Sequence, residues 1–110
     1  MPNPGDVVIA PFPGAVKTKP RPVVIVSTIL YHSVRPDLIL ALLTTDIANS
    51  TKPTDYVLQD WAAAGLHYPT AFRAFLFTLP AVLVSDVKGQ LSAGDWQEVQ
   101  ARLRLALAVT

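Results

Sequence analysis

A chain of 110 residues with a formal net charge of +1 and no cysteine is sized for a single domain, expected over residues 1–110, and can build neither a disulfide framework nor thiol or thiolate-zinc chemistry. Charged residues make up 15% and apolar residues 51%, against roughly 25% charged in an average soluble domain, so a closed monomer would leave apolar surface in water and a homodimer or protein partner is expected. The small net charge excludes a protein that coats nucleic acid nonspecifically, and the apolar runs fall far short of the ~18 residues a membrane span needs.

With no charged-then-apolar leader pattern either, the chain is expected to be cytoplasmic, without a membrane partner. The two histidines, His32 and His67, stand apart from carboxylates that could complete a three-ligand site, so no metal and no cofactor are expected.

The first strand is read over Asp6–Phe12, a β-branched stretch stopped by Pro13-Gly14. A basic cluster follows, Lys17-Thr-Lys-Pro-Arg21-Pro22, and runs into a second strand over Pro22–Ser27. The continuous Val-Val-Ile-Val run of that strand suits burial on both faces. A connection through Tyr31-His32 leads to a third strand, Asp37–Thr45, and then to a polar loop from Asp46 to Pro53. Tyr56–Leu58 reads as a fourth strand, and Asp60–Gly65 as a short helical turn with Asp60 as cap and Gly65 as stop. The fifth strand, Thr70–Leu79, is rich in phenylalanine and ends at Pro80.

Near the C-terminus the period changes. Ser92 with Asp95 three residues on is a near capping box, and Trp96, Val99, Leu103 and Leu107 recur at spacings of three and four, the mark of one amphipathic helix with these residues in the core. About five short strands followed by a single helix describe a mainly β fold, a small, partly open SH3-like barrel, rather than alternating βαβ units.

Two places could carry chemistry. Pro22 pushes Arg21 toward extended backbone, and Pro20 fixes its own φ on the other side, so the guanidinium leaves a stiff strand. A planar, permanently charged fork matches phosphate oxygens. Thr44, Thr45 and Asp46 leave a strand that must be buried, and strand ends beside loops are where barrels hold sites. A solvated basic turn and an ordinary threonine-rich strand exit are the alternatives, and both stay open on residue chemistry alone. His32, in a connection, reads as structural or solvated.

Arg21-Pro22-Val-Val-Ile-Val, the exit Leu43-Thr44-Thr45 and the opening Gly5-Asp6-Val-Val together resemble the MazF/PemK family of bacterial toxins, in the same order along essentially the whole chain. The resemblance implies an SH3-like barrel of the PemK/MazF/CcdB kind that pairs as a homodimer. It implies a metal-independent endoribonuclease of a toxin-antitoxin pair that cuts single-stranded RNA to leave 2′,3′-cyclic phosphate and 5′-hydroxyl ends. A cognate antitoxin would occupy the RNA groove, and the complex would bind DNA. Carried over by position, Arg21 and Thr44 are catalytic with Thr45 as the adjacent alternative; Lys17, Lys19, Asp46, Lys52 and Arg73 are expected to line the RNA path. The fifth strand departs from the family pattern in offering Arg73 and no carboxylate. That leaves open a silent barrel that only binds an antitoxin, while a CcdB-like growth inhibitor would need the tryptophan-bearing tail that Ala106-Leu-Ala-Val-Thr110 lacks.

Overall fold

A computed structural model of the chain describes residues 2–13, 18–84 and 86–109. Six antiparallel strands run β1 (Asp6–Pro13), β2 (Thr18–Ile25), β3 (Asp37–Thr44), β4 (Asp55–Val57), β5 (Ala71–Pro80) and β6 (Val87–Gln90), in the sheet order β4-β5-β3-β2-β1-β6. Helix α1 (Ile29–Val34) joins β2 to β3, and α2 (Ala93–Ala106) ends the described chain. The edge strands β4 and β6 do not pair among the described residues, so the sheet forms a partly open barrel.

The five strands expected from sequence are present, with β2 beginning at Thr18 instead of Pro22. Helix α1 and strand β6 are additional, as are 3₁₀ turns over Ile47–Asn49 and Ala81–Leu83. Helix α1 starts where the Thr28 hydroxyl accepts from the Tyr31 N–H at 3.1 Å, and it buries none of its residues, so it carries no apolar period. Strand β6 has no hydrophobic alternation and is held by backbone, pairing with β1 from Asp6↔Gln90 onward. The Asp60–Gly65 segment is the single helical turn expected, closed by the Ala64 N–H on the Asp60 carbonyl at 3.2 Å. Its last residue, Gly65, has φ +84, and a Cβ there would lie 2.3 Å from the Lys88 carbonyl oxygen. A second close approach, between the Gly89 position and the Ala64 carbonyl oxygen, locks this turn against β6.

Alternation sends two sets of side chains to opposite faces. Val7, Val24, Ala41, Leu43 and Phe72 pack on one face beneath Leu58, Ala64, Leu91 and Val99. Val8, Ala10, Val23, Ile25, Leu38 and Leu40 fill the other, with Phe77 and Leu79 against them. The apolar run of β2 is therefore buried on both sides. Phe12 of β1 and Phe77 of β5 meet at 5.3 Å between ring centroids, although three strand spacings of a flat sheet, roughly 14 Å, would part them. Strong coiling of the sheet closes that gap. Helix α2 buries Val99 and half-buries Trp96 and Leu103, but it stops at Ala106, which leaves Leu107 outside the core at 42% exposed. No helix among the described residues is long and apolar enough to cross a membrane.

Asp95 does not serve as the return half of a capping box. Its N–H donates to the Ser92 cap hydroxyl, but its carboxylate, 1% exposed, turns inward. There it accepts from the Tyr56 hydroxyl at 2.7 Å, the Gln59 N–H at 3.1 Å and the Asp60 N–H at 2.9 Å. One buried charge thus ties α2 to β4 and to the turn beyond it. Burial first, then the bond to Asp95 and the negative charge of Asp95, hold the Tyr56 hydroxyl protonated well above the usual tyrosine range.

Asp95→Asn, which keeps the shape but presents an amide to donors, is expected to destabilise the fold by about 2–4 kcal/mol in chemical denaturation. Because the fold favours neutral Tyr56, its contribution is intact below the ordinary tyrosine value of about 10 and is lost as pH climbs above it. Tyr56→Phe should accordingly flatten the alkaline arm of a stability-versus-pH curve, and an unchanged slope would place that titration elsewhere.

Candidate functional site

Prolines decide where β2 and β3 part. Even-numbered residues of β2 direct their backbone toward β3: Val24 pairs with Ala41, and just past the strand the Val26 N–H donates to the Ile39 carbonyl at 3.0 Å. Pro22 occupies the same phase but has no N–H to give, and the β2–β3 ladder ends at Val23↔Leu42. β2 nevertheless continues along β1 as far as Pro13↔Thr18. Carrying the β2–β3 register past its last pair sets Arg21 across from Thr44, where the two strands no longer bond. Val23 and Leu42 pair on one face, and alternation two residues on along each strand puts the exposed Arg21 guanidinium and the half-buried Thr44 hydroxyl on that same side of the sheet.

The backbone after Thr44 is held by side chains. The Thr44 hydroxyl accepts from the Asp46 N–H at 3.1 Å, which leaves its own proton to donate. The Asp46 carboxylate accepts from the Asn49 amide at 3.0 and 3.1 Å, and the Ser50 hydroxyl donates to the Asp46 carbonyl at 2.8 Å, closing a 3₁₀ turn over Ile47–Asn49. Arg73 of β5 clamps this turn through its Nε on the Ser50 hydroxyl at 3.1 Å and its guanidinium 3.7 Å from the Asp46 carboxylate. Two residues expected along an RNA path, Asp46 and Arg73, are thus engaged with each other. This clamp spans 27 positions of sequence and leaves no local pattern by which to find it.

Thr45 points the other way, one step in a strand reversing the face. It lines an apolar cavity of about 250 Å³ together with Ile9, Pro22, Leu66, Tyr68 and Lys88. Lys19, exposed, faces Phe12 across the β1–β2 ladder, and Lys52 is exposed beyond the clamped turn. Lys17 lies outside the described residues. His32 sits on α1, at the other end of β2 from Arg21, with its Nε2 2.5 Å from the Ser27 hydroxyl, which also accepts from the Ile39 N–H. That position makes it a structural residue.

The fold is one shared by solved toxins of toxin-antitoxin systems. An endoribonuclease in complex with its cognate antitoxin from a mycobacterial species aligns at TM-score 0.80 with 21% identity, over 100% of this chain and 98% of that one. The Mycobacterium tuberculosis toxin MazF-mt6 aligns at 0.78 with 20% identity, over 96% and 98%, and a chain of the MazE-MazF structure from Deinococcus radiodurans at 0.74 with 17% identity, over 100% and 98%. Residues 3–107 match the family described as PemK-like, MazF-like toxins of type II toxin-antitoxin systems, and the chain belongs to that family. Comparison with curated proteins gives no significant match.

If the missing donor of Pro22 is what ends the β2–β3 ladder, Pro22→Ala should extend it by one pair. The amide of the new alanine is then expected to be protected in hydrogen exchange to the level of its strand neighbours. Free exchange at that position would mean that something other than proline holds the strands apart.

Proposed function

We propose that this chain is a metal-independent endoribonuclease toxin, cutting single-stranded RNA at selected sequences and neutralised by a cognate antitoxin that covers the same face. The observation that carries this reading is that Arg21 and Thr44 lie on one face of neighbouring strands, just past the point where the β2–β3 ladder ends. Arg21 supplies charge to the phosphate, and the Thr44 hydroxyl, with its proton free to donate, fixes the phosphate's orientation. Thr45, facing the cavity, is the less favoured partner.

The chemistry needs little more than alignment and charge. The ribose 2′-oxygen attacks phosphorus, the P–O5′ bond breaks, the 2′ proton passes to solvent, and the departing 5′ oxygen takes up a proton, giving a 2′,3′-cyclic phosphate and a 5′-hydroxyl. A guanidinium that stays protonated acts as an electrostatic clamp on the crowded phosphorane and not as an acid. The nucleophile belongs to the substrate, so no metal-bound water is called for. A homodimer is supported by exposed apolar side chains such as Leu30 at 73%, Val34 at 67% and Leu105 at 66%.

One observation favours a second reading, a silent barrel that binds antitoxin without cutting RNA. The β5 segment beside Thr44 carries Arg73, already committed to Asp46, and no carboxylate. Purified protein incubated with a long single-stranded RNA in the presence of EDTA separates the two. Defined cuts bearing cyclic phosphate are expected, and intact RNA alongside tight antitoxin binding would leave only the silent barrel. Arg21→Ala should fold normally yet lose about 100- to 1,000-fold in cleavage, the usual effect of removing one donor to a developing oxyanion. Thr44→Ala should cost more activity than Thr45→Ala.

A further inference from the structure

Phe75 is accounted for neither by the core nor by the clamp. It lies mid-strand on β5 and is 54% exposed. The ladder between β3 and β5 is irregular at this point: between Ala41↔Leu76 and Leu43↔Phe72, the β5 residues Arg73, Ala74 and Phe75 stand against the single β3 residue Leu42. Bulges of this kind re-aim side chains and gather near sites. Phe75 contacts Phe12 of β1 at 5.6 Å and Phe77 at 6.5 Å between centroids, while Phe77 is anchored on the core. The ring is therefore held in place and still presents open surface.

Cations line the strand paired with Phe12. Phe12 lies opposite Lys19, and Arg21 follows two residues along the same strand, opposite the small Ala10. Alternation puts Phe12, Phe75, Lys19, Arg21 and Thr44 on one face. Neither Lys19 nor Arg21 has an ion-pair partner among the described residues. An immobilised aromatic ring beside unneutralised cations fits a ligand with flat π faces strung on a phosphate backbone, and every unpaired nucleobase offers such a face.

We propose that Phe75, braced by Phe12 and Phe77, is the platform on which an unpaired RNA base stacks next to the phosphate gripped by Arg21. The inference rests on the RNA-cleaving reading above and assigns to it a binding residue. Stacking alone tolerates any base, and the larger π surface of purines makes them the favoured occupants.

The test compares wild type, Phe75→Leu and Phe75→Trp, using a non-cleavable 2′-O-methyl oligonucleotide for affinity and a cleavable RNA for kinetics. Phe75→Leu is expected to weaken binding about 5- to 150-fold, raising KM with kcat within about threefold. Phe75→Trp should restore affinity, and its fluorescence, measured against the wild-type background of Trp61 and Trp96, should be quenched on saturation as indole stacks on a base. Wild-type affinity in Phe75→Leu, or unquenched tryptophan in a protein that still binds, would overturn the proposal and leave the nuclease reading standing. Loss of affinity that follows only a change of oligomeric state in light scattering would make Phe75 a subunit contact and also overturn it. If wild type neither binds nor cuts RNA, the nuclease reading fails, and this inference with it.

Discussion

A missing hydrogen-bond donor organises the candidate site. Strands β2 and β3 sit in the middle of the sheet, where each residue would ordinarily be bonded on both sides, yet Pro22 cannot donate to β3 and the ladder stops beside it. The forgone bond is worth about 1 kcal/mol net, a small loss in a fold whose two faces are packed. In return the sheet acquires an unbonded notch flanked by Arg21 and Thr44, with the β1 side of the same strand still fully paired. The rigidity that positions Arg21 therefore comes from β1, and the accessibility from the break with β3.

Asp95 does the corresponding task at the far edge. Its buried carboxylate accepts from a hydroxyl and two backbone N–H groups, and in doing so fixes how α2 meets β4 and the turn that follows. That turn reaches β6 through the close backbone approaches at Gly65 and Gly89, and its continuation, Leu66 to Tyr68, forms a wall of the cavity that Thr45 faces. The helix and the cavity are thus linked through one carboxylate and two glycines.

Elements carried by side-chain pattern were legible in the sequence; those carried by tertiary backbone contact were not. The β-branched runs and their proline stops give five of the strands, and Ser92 with the Trp96–Val99–Leu103 period gives α2. Helix α1 buries nothing, and β6 exists because β1 and the 61–65 turn accept it, so neither leaves a period to read. Asp95 has the spacing of a capping residue but faces the interior, because β4 brings a phenol to it and the turn beyond β4 brings two backbone amides. At the site, the types of Arg21 and Thr44 are plain, but their shared face depends on a register that joins residues 23 positions apart. The Asp46–Arg73 clamp is invisible for the same reason.

On the reading proposed above, this placement of charge also limits the mechanism. Arg73 directs its charge to Asp46, and His32 is bonded to Ser27, just past the far end of β2 and six residues from Arg21, about 20 Å away at strand spacing. Neither can shuttle a proton at the Arg21–Thr44 notch. What remains there is a permanent cation, a hydroxyl and an aromatic surface, a set that can hold a phosphodiester and stabilise charge on it but cannot act as a strong general base. A reaction in such a site has to draw its nucleophile from the substrate, and of the two common nucleic acids only RNA carries one beside every phosphate. The preference for RNA over DNA then follows from what the site lacks as much as from what it contains.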